Sequence, residues 1–384
     1  MVFWLIPRAR IDIKGKTMTS KYDYLVVGCG LFGSVFARQA TDAGKKCLIV
    51  DKRNHIAGNC YTENNNGIHV HKYGPHIFHT NNDRVWEFMN QWASFNNYVN
   101  RPKVNFGGEI YSFPINLFTL HQLWGVNTPE EARRALEDVR IPCSDPKNLE
   151  EWILSQVGRE IYNTFIYGYT KKQWNKDPKE LPASIIKRLP IRLTYDDNYF
   201  NDKYQGIPIG GYTAIFKRML DGIPVELGID YLSAQDYWDS KAKMVVYTGA
   251  IDEFFRSTHG TLEWRSLRFE NEEIENCDYQ GNAVVNYTEE SVPFTRIVEH
   301  KHFDYANQPD TVVTKEYPKS WSVGQEKFYP VNDTRNNDLY FHYKKLIDRS
   351  KYIFGGRLAD YKYYDMHQVV ASSLHHFSKI NLTN

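Results

Sequence analysis

Cysteine is scarce in this sequence, and its spacing excludes two kinds of site. Only five of the 384 residues are cysteines. An odd number without paired spacing does not predict a disulfide framework, and the spacings match no zinc-binding motif. We therefore expect reduced thiols and a cytoplasmic protein. The cysteines are Cys29, Cys47, Cys60, Cys143 and Cys277.

Long apolar runs and an excess of one charge are also absent. No apolar run approaches the roughly 18 residues that a membrane-spanning helix requires. The formal net charge of +1 argues against broad nucleic-acid binding and against binding to a membrane surface. The apolar patch at residues 2–7 is too short for the core of a signal peptide. Residues 1–20 are predicted to be a disordered extension, and the pattern favours Met18 as the start of the chain.

The most informative stretch is residues 22–51, a strand–helix–strand pattern with a glycine-rich first turn. The first strand is followed at once by G-x-G-x-x-G, formed by Gly28, Gly30 and Gly33. The second strand ends with Asp51. Such glycines permit a tight turn, the approach of a pyrophosphate and close helix packing, while the acid accepts hydrogen bonds from ribose. A tight turn without a ligand is the alternative, but the complete context favours a dinucleotide site.

This fingerprint occurs once, which limits the class of cofactor enzyme. An oxidoreductase with two dinucleotide sites would usually show two fingerprints. A single N-terminal motif, a Gly355-Gly356-Arg357 turn and a last helix starting near Asp365 instead predict an FAD site. The amino end of that helix would face the flavin ring, where its dipole stabilises negative charge on a reduced flavin.

The order of elements predicts an α/β protein with a discontinuous Rossmann-like FAD-binding domain, a helical insert and a twisted antiparallel β-sheet domain. Elements in the middle and at the end of the chain return to the N-terminal unit. The FAD-binding domain would comprise residues 21–95, 207–261 and 333–384. The helical insert would be residues 117–184, and the sheet domain would comprise residues 96–116, 185–206 and 262–332.

Several local expectations are specific enough to check. Residues 81–97 have the spacing of an amphipathic helix, and residues 192–206 alternate like antiparallel strands. Thr128 followed by Pro129 is a typical helix start. Four histidines lie between residues 69 and 79, but no cysteine or carboxylate stands at a matching spacing. We therefore predict no metal site there.

Aromatic side chains and arginines are concentrated in the middle of the chain. Aromatic rings can hold a base by stacking, and separated arginines can hold a diphosphate. Any one of these residues is equally compatible with an aromatic core or a plain surface. Considered together they form distinct motifs, which are YGPHIFHT at residues 73–80, GYTKKQW at 168–174, LPAS at 181–184, YDDNYF at 195–200 and DYQG at 278–281.

This combination of motifs resembles the bacterial UDP-galactopyranose mutase family of flavoenzymes, over nearly the whole chain apart from residues 1–20. The resemblance implies interconversion of UDP-galactopyranose and UDP-galactofuranose, with reduced FAD required but no net redox change. It implies that flavin N5 attacks the anomeric carbon of the sugar and displaces UDP, which re-attacks after the ring size has changed. It also implies a homodimer and a role in cell-surface polysaccharide biosynthesis.

The resemblance assigns roles to individual residues. Arg188 and Arg296 would be catalytic by holding the diphosphate from two sides, and His76 would lie near flavin N5. Phe165 and Tyr169 would sandwich the uracil. The substrate-binding residues would be Asn100, Phe165, Ile166, Tyr169, Trp174, Tyr199, Asn286, Tyr329 and Tyr363. The FAD-binding residues would be Gly28, Gly30, Phe32, Gly33, Asp51, Lys52, Asn59, His76, Ile77, Arg357, Tyr364, Asp365 and Met366.

Three alternatives remain open at the level of sequence. An FAD-dependent oxidase or dehydrogenase would share the N-terminal fingerprint, but it would consume NAD(P) or oxygen. A mutase for a thymidine-linked or N-acetylated sugar would differ only at the edges of the pocket, and Ile166, where relatives often carry Phe, is one position that could adjust such a preference. A catalytically silent nucleotide-sugar-binding protein is disfavoured by Arg188, Arg296 and the intact flavin motifs.

Overall fold

The computed structural model describes residues 21–187 and 189–383, so the predicted extension at residues 1–20 lies outside the described residues. The strands are β1 (Tyr22–Val27), β2 (Cys47–Asp51), β3 (Thr62–Asn65), β4 (Ile68–His71), β5 (Phe78–Thr80), β6 (Lys103–Phe106), β7 (Glu109–Ser112), β8 (Tyr204–Gly206), β9 (Val225–Leu227), β10 (Ala242–Tyr247), β11 (Trp264–Ile274), β12 (Val284–Tyr287), β13 (Arg296–Glu299), β14 (Thr311–Ser320), β15 (Tyr329–Pro330) and β16 (Tyr352–Phe354). The helices are α1 (Leu31–Asp42), α2 (Asp83–Asn90), α3 (Leu117–Trp124), α4 (Pro129–Val139), α5 (Leu149–Ile161), α6 (Gly168–Trp174), α7 (Tyr212–Met219), α8 (Gln235–Asp239), α9 (Ile251–Phe254), α10 (Thr334–Lys345) and α11 (Met366–Thr383).

A five-stranded parallel sheet forms the nucleotide-binding part of the molecule, in the order β16-β10-β1-β2-β9. Leu25 and Val26 of the central strand are fully buried. Helices α1, α7 and α11 cover one face, while α8, α9 and α10 cover the other. The carboxyl ends of parallel strands are where open α/β sheets bind ligands. Here that edge carries Gly28, Asp51, Thr248 and Gly355.

A seven-stranded sheet lies in the order β15-β11-β14-β13-β12-β6-β7. Strands β6 and β7 form an antiparallel hairpin at one edge of this sheet, and β11 to β14 come from residues 264–320. All pairs are antiparallel except β12 and β6, which run parallel. The sheet is therefore mixed at one position rather than purely antiparallel, because β6 comes from an earlier part of the chain and joins β12 side by side.

The helical block between α3 and α6 has its own core, formed by apolar residues such as Leu120, Leu136 and Ile153. The predicted start of α4 is confirmed. The Thr128 hydroxyl accepts a hydrogen bond from the Glu131 N–H at 3.3 Å, and the Glu131 carboxylate accepts one from the Thr128 N–H at 3.2 Å. A π-helical segment, Tyr162–Tyr167, continues α5 into α6.

Two local predictions were wrong. The helix expected over residues 81–97 is shorter, since α2 covers only Asp83–Asn90. Residues 192–206 do not alternate as paired strands, because only β8 is a strand there, and it pairs with β5 outside the seven-stranded sheet. The Arg192 guanidinium instead bonds the carbonyl oxygens of Asp196 and Asn198. Side-chain bonds to the backbone thus replace a strand ladder.

Within the described chain, no helix combines the length and the apolar character needed to cross a membrane.

Gly158 provides a test of the α4–α5 packing. It has φ of 76° inside α5, and a Cβ there would lie 2.5 Å from the Val139 carbonyl oxygen. Gly125 has a similar φ of 70°, but among the described residues nothing beyond its chain neighbours lies within 4 Å of its Cβ position. Gly125→Ala should therefore cost only the left-handed backbone penalty, about 1 kcal/mol. Gly158→Ala should lower the free energy of unfolding by clearly more in denaturant titrations. Equal losses would contradict the close packing at Val139.

Candidate active site

The glycine-rich turn contains two kinds of glycine. Gly28 has φ of 108°, and a Cβ there would overlap the Thr248 hydroxyl at 2.0 Å. A Cβ on Gly33 would lie 2.1 Å from the Gly28 carbonyl oxygen. These two glycines are thus required by the protein's own packing. Gly30 differs, since its φ is −81° and the nearest atom to its Cβ position is the Gly58 Cα at 3.9 Å.

The space beside Gly30 fits a dinucleotide pyrophosphate. Packing among the described residues does not require glycine at this position. A Cβ here would instead project into the open space above the turn, where a ligand could lie. Helix α1 begins at Leu31, directly after Gly30, so its free N–H groups are directed to the same space. The predicted pyrophosphate site is therefore compatible with the geometry of the turn.

Asp51 is fixed at the end of β2 by two backbone N–H groups. Its carboxylate accepts hydrogen bonds from Cys29 N at 2.6 Å and from Arg53 N at 2.9 Å. A carboxylate has further lone pairs, so both oxygens can still accept from a ribose. The Arg53 guanidinium bonds Asn59 Oδ1 at 2.8 Å and Glu326 Oε2 at 2.7 Å. These bonds hold Asp51 and Asn59, two of the predicted FAD-binding residues, at one edge of the sheet.

The C-terminal glycine turn packs against the N-terminal fingerprint. A Cβ on Gly355 would lie 2.1 Å from the ring of Phe32, which is 2% exposed. Phe32 therefore supports the turn with its buried ring. Arg357 follows the turn and donates to the Tyr364 carbonyl oxygen at 2.6 Å. The guanidinium thereby ties the turn to the segment that leads into α11.

Three candidate residues lie in one row across the seven-stranded sheet. Asn286 of β12 is the direct partner of Arg296 in β13, and Arg296 is the direct partner of Glu316 in β14. Direct cross-strand partners project to the same face. Arg296 Nη2 lies 2.8 Å from Glu316 Oε1, and the Glu316 side chain is fully buried. Glu316 was not among the residues predicted from sequence.

Arg296 retains its charge in this environment. Burial disfavours the charged form, but the Glu316 carboxylate and the nearby Tyr169 and Tyr329 hold the pKa of Arg296 well above its ordinary value. Arg296 Nε and Glu316 Oε2 are buried and find no hydrogen-bond partner among the described residues. The two side chains therefore form a permanent ion pair, and Arg296 Nε and Glu316 Oε2 are available for further hydrogen bonds.

Tyrosines surround the Arg296 guanidinium. The rings of Tyr329 and Tyr363 stack with centroids 5.2 Å apart. Burial raises the pKa of Tyr169 to about 12 and raises the pKa of Tyr329 beyond its ordinary range. Glu316 contributes to both shifts, which indicates that these residues share one cluster with the ion pair. The phenols of Tyr169 and Tyr329 therefore keep their protons and can donate hydrogen bonds to an anion.

A chain of hydrogen-bonded histidines leads from the sheet to His76. The His300 ring bonds the Thr314 hydroxyl at 2.7 Å and accepts from His71 N at 3.2 Å. The His71 ring accepts from His76 N at 3.0 Å. Burial, with Arg357 and Arg296 nearby, lowers the pKa of His76 to about 4. Burial also lowers the pKa of His300 to about 3 and that of His71 well below its ordinary value. All three rings are therefore neutral near pH 7.

The remaining predicted substrate residues line the junction with the helical block. The Asn100 carbonyl oxygen accepts from Tyr199 N at 2.8 Å, which joins these two segments. Phe165 is 2% exposed, and its ring packs on Tyr111 and Phe113 at centroid distances of 5.4 and 6.3 Å. Its predicted stacking on a uracil stays a prediction. Ile166, also buried, and the half-buried Trp174 belong to the same apolar cluster.

Comparisons with known proteins match this architecture. A family model described as UDP-galactopyranose mutase matches residues 164–363, and one described as an NAD(P)-binding Rossmann-like domain matches residues 26–92. A dTDP-fucopyranose mutase of Escherichia coli is 42% identical over 355 residues, covering 89% of this chain and 94% of that protein. A probable UDP-galactopyranose mutase of Klebsiella pneumoniae is 41% identical over 360 residues, covering 91% and 92%. The chain belongs to the UDP-galactopyranose mutase family.

A solved structure of a reduced UDP-galactopyranose mutase has the same fold. It superposes with a TM-score of 0.74 at 14% sequence identity and covers 94% of each chain. The family and the fold class predicted from sequence are thus confirmed. The family consists of flavin-dependent mutases that interconvert the pyranose and furanose forms of nucleotide sugars.

Several predicted residues do not join the cluster through the contacts described above. Arg188 lies outside the described residues. Lys52 is exposed and borders a cavity of about 290 Å³ together with Glu326. Ile77 packs in a small apolar cluster with Tyr98 and Ile207. Asp365 and Met366 stand at the start of α11, where Met366 Sδ lies 3.7 Å from Cys60 Sγ.

The prediction that no metal is bound stays a prediction. Donor atoms of His79, Asp365 and His367 lie within 4.8 Å of one another. The sequence pattern missed this grouping, because His367 and Asp365 come from the far end of the chain. One ring nitrogen of His79, Nδ1, is already paired with the Asp202 carboxylate.

Glu316 was missed for a physical reason. It is one acidic residue in a strand of mixed polar and apolar residues, so the sequence pattern does not single it out. Its proposed role depends on Arg296, its direct partner in the neighbouring strand. The available signal was its inward position, on the same strand face as the buried Val312 and Thr314. An acid at an inward-facing position predicts a buried charge partner.

Gly30 allows a direct test of the cofactor site. Gly30→Ala should lower the stability of the cofactor-free protein only slightly, by replacing the N-cap glycine of α1, since among the described residues no atom beyond its chain neighbours lies closer than 3.9 Å to the new Cβ. FAD should nevertheless be lost, because the methyl group would fill the space that the pyrophosphate needs. Flavin absorbance of the purified protein and thermal unfolding of the cofactor-free form check both statements. Gly33→Ala is the contrast, since it should lower stability itself; wild-type FAD content in Gly30→Ala would refute the site.

The buried histidines predict a loss of stability in acid. A histidine whose pKa is lowered by folding stays neutral in the native state, whereas the unfolded chain takes up a proton below about pH 6.5. Stability should therefore fall as the pH falls from about 6.5 towards 4. His300→Gln, which retains a donor and an acceptor, should make the fall in melting temperature between about pH 7 and 5 smaller. The same change at the exposed His342 is the control and should leave the fall unchanged. An equal fall in His300→Gln and wild type would show that His300 does not contribute.

Proposed function

We propose that this protein interconverts UDP-galactopyranose and UDP-galactofuranose, using reduced FAD without net redox change. The proposal rests on one observation, the row formed by Asn286, Arg296 and Glu316 with the tyrosines beside it. Arg296 and Arg357 both act on the pKa of His76 and on that of Tyr329, so these groups lie close together. A permanent cation and protonated phenols next to a dinucleotide turn are suited to a diphosphate that must leave and return.

The chain's own residues would hold the leaving group. When bound, a reduced flavin supplies a nucleophile for the anomeric carbon of the sugar. Arg296 would then stabilise the negative charge that the departing nucleoside diphosphate carries, and Tyr169, Tyr329 and Tyr363 would donate hydrogen bonds to it. Arg188, assigned from sequence, would close on the diphosphate from the other side. This positioning keeps the diphosphate close enough to re-attack.

His76 would act as a neutral hydrogen-bonding group beside the flavin. Its Nδ1 lies 2.8 Å from the Gly74 carbonyl oxygen and can donate only as N–H. In the neutral ring Nε2 is then an acceptor. The pKa of about 4 favours this form at physiological pH. An acceptor at this position would orient a flavin or sugar hydrogen-bond donor without adding charge.

A second substrate is favoured by one observation. The dTDP-fucopyranose mutase of Escherichia coli is as similar to this chain as the probable UDP-galactopyranose mutase of Klebsiella pneumoniae, at 42% and 41% identity. A thymidine-linked 6-deoxy sugar is therefore the alternative substrate. The proposals of a homodimer and of a role in cell-surface polysaccharide biosynthesis rest on the sequence resemblance, and that of a cytoplasmic location rests on the cysteine pattern.

The deciding experiment compares both sugars with the purified protein. UDP-galactofuranose and dTDP-fucofuranose are each incubated with and without dithionite, and the products are separated by chromatography. We expect conversion of UDP-galactofuranose only after reduction, with no stoichiometric reductant consumed. A higher kcat/KM for dTDP-fucofuranose would reassign the substrate. No conversion of either sugar by a reducible flavoprotein would reject the proposal.

The catalytic role of Arg296 can be distinguished from its structural role as the ion-pair partner of Glu316. Arg296→Ala should reduce kcat on the order of 10²–10³-fold while FAD stays bound, but it also leaves Glu316 buried without a counter-charge. The double variant Arg296→Met/Glu316→Gln removes both charges, so it should recover stability without recovering activity. Arg188→Ala should likewise lose turnover with FAD retained. Near-normal turnover in the double variant would contradict the assignment of Arg296.

A further inference from the structure

The residues proposed to bind the nucleotide sugar lie on two elements that are distant in sequence. Helix α6 carries Tyr169 and Trp174. The β12–β13 hairpin carries Asn286 and Arg296. A pocket built this way works only if the helix and the hairpin keep a fixed separation, so the contacts between them determine the shape of the site.

The first contact is a direct approach of two backbones. A Cβ on Gly168 would lie 2.3 Å from the Thr288 carbonyl oxygen and 2.8 Å from Glu290 N. The start of α6 therefore rests on the loop that joins β12 to β13, which comprises residues 288–295. Glycine is required here because any side chain would separate the two elements.

The second contact is made one helical turn later on the same face of α6. The Lys172 ammonium donates to the carbonyl oxygens of Tyr287 at 2.8 Å, Val292 at 2.9 Å and Phe294 at 2.9 Å. An ammonium has three N–H donors, and these bonds use all of them. None of these three bonds involves a side chain of the proposed substrate site.

These carbonyl oxygens belong to both sides of the hairpin. Tyr287 is the residue directly after Asn286, and Phe294 precedes Arg296 by two positions. By bonding both, the ammonium draws the two sides of the loop together and holds them against α6. Arg265 of β11 holds α6 from another side, since it donates to the Gln173 carbonyl oxygen at 2.8 Å.

The positive charge of Lys172 is stabilised by the carbonyl oxygens of the hairpin. Burial lowers the pKa of Lys172 to about 8, while Glu289 and Glu290 of the hairpin act in the opposite direction. Lys171, its neighbour on α6, pairs with Glu290 at 2.7 Å. Backbone carbonyl oxygens thus take the place of the water that would otherwise solvate the ammonium.

We propose that Lys172 is a positioning residue for the mutase reaction, which holds α6 and the β12–β13 hairpin at the separation that nucleotide-sugar binding requires. The inference rests on the proposed function. Lys172 acts through the backbone of the hairpin and thereby fixes Arg296 and Asn286 relative to Tyr169 and Trp174.

Lys351 offers a matched control. Its ammonium also donates to backbone carbonyl oxygens, those of Asp239 at 2.8 Å and Ala242 at 2.9 Å. It lies at the amino ends of β10 and β16, opposite the edge that carries Gly28 and Gly355. Lys351→Met therefore removes a comparable structural cation far from the proposed site.

The experiment uses the reduced, FAD-loaded wild type with Lys172→Met, Lys172→Arg and Lys351→Met. Lys172→Met should raise KM and the Kd for UDP on the order of tenfold or more, with unchanged FAD content. Lys172→Arg retains charge and donors and should recover part of the affinity. Lys351→Met should lower the melting temperature without changing KM. Amide hydrogen exchange should become faster at residues 284–299 in Lys172→Met only.

The outcomes separate this inference from the proposed function. If Lys172→Met matches Lys351→Met in KM, Kd and hairpin exchange, the positioning role is rejected. If Lys172→Met fails to fold, Lys172→Gln, which keeps two donors but no charge, replaces it, and wild-type KM with wild-type hairpin exchange in Lys172→Gln would overturn the inference. If the wild type binds neither UDP nor dTDP, the proposed function fails, and unchanged hairpin exchange in Lys172→Met would then reject the structural tie as well.

Discussion

The buried ion pair between Arg296 and Glu316 is the constraint on which the proposed site depends. Glu316 is fully buried, and a buried carboxylate is tolerated only when it is paired. Direct pairing of β13 with β14 supplies the partner, so the register of the sheet and the position of the guanidinium are fixed together. The pair is close to neutral as a unit. The proposed diphosphate would therefore need further positive charge, and Arg357, a predicted FAD-binding residue, and Arg188 are the candidates for it.

Burial is the main reason that the histidines near the proposed site are neutral. Burial lowers the pKa of His76 most, and Arg357 and Arg296 act in the same direction. A protonated ring at His76 would repel the cations that the diphosphate requires. The hydrogen-bonded chain through His71 and His300 to Thr314 holds the backbone of His76, and the Gly74 carbonyl oxygen holds its ring. Charge is thus concentrated on arginines, whose protonation does not change with pH, while the histidines provide orientation.

Sequence reasoning succeeded where structure is determined locally. The cap at Thr128 is set by neighbouring residues, and the turn at Gly28 and the acid at Asp51 belong to one continuous strand–helix–strand pattern, so these patterns were sufficient. It failed at residues 192–206, because the alternating pattern there is satisfied by Arg192 bonding nearby carbonyl oxygens rather than by a partner strand. Glu316 and Lys172 were not identified as important because their partners are brought close only by the sheet. Most individual site residues came from the family resemblance, and Arg188 lies outside the described residues.

Two partly buried cations have different roles in the proposed site. Arg296 is balanced by a carboxylate and keeps hydrogen-bonding capacity for an anion, whereas Lys172 spends its three donors on the backbone. Helix α6 is therefore held firmly, while the π-helical segment before it carries Phe165 and Ile166. Such segments often occur at functional sites. A change of base preference within this family is accordingly expected in the π-helical segment, because substitutions there leave the contacts of Lys172 and Arg296 in place.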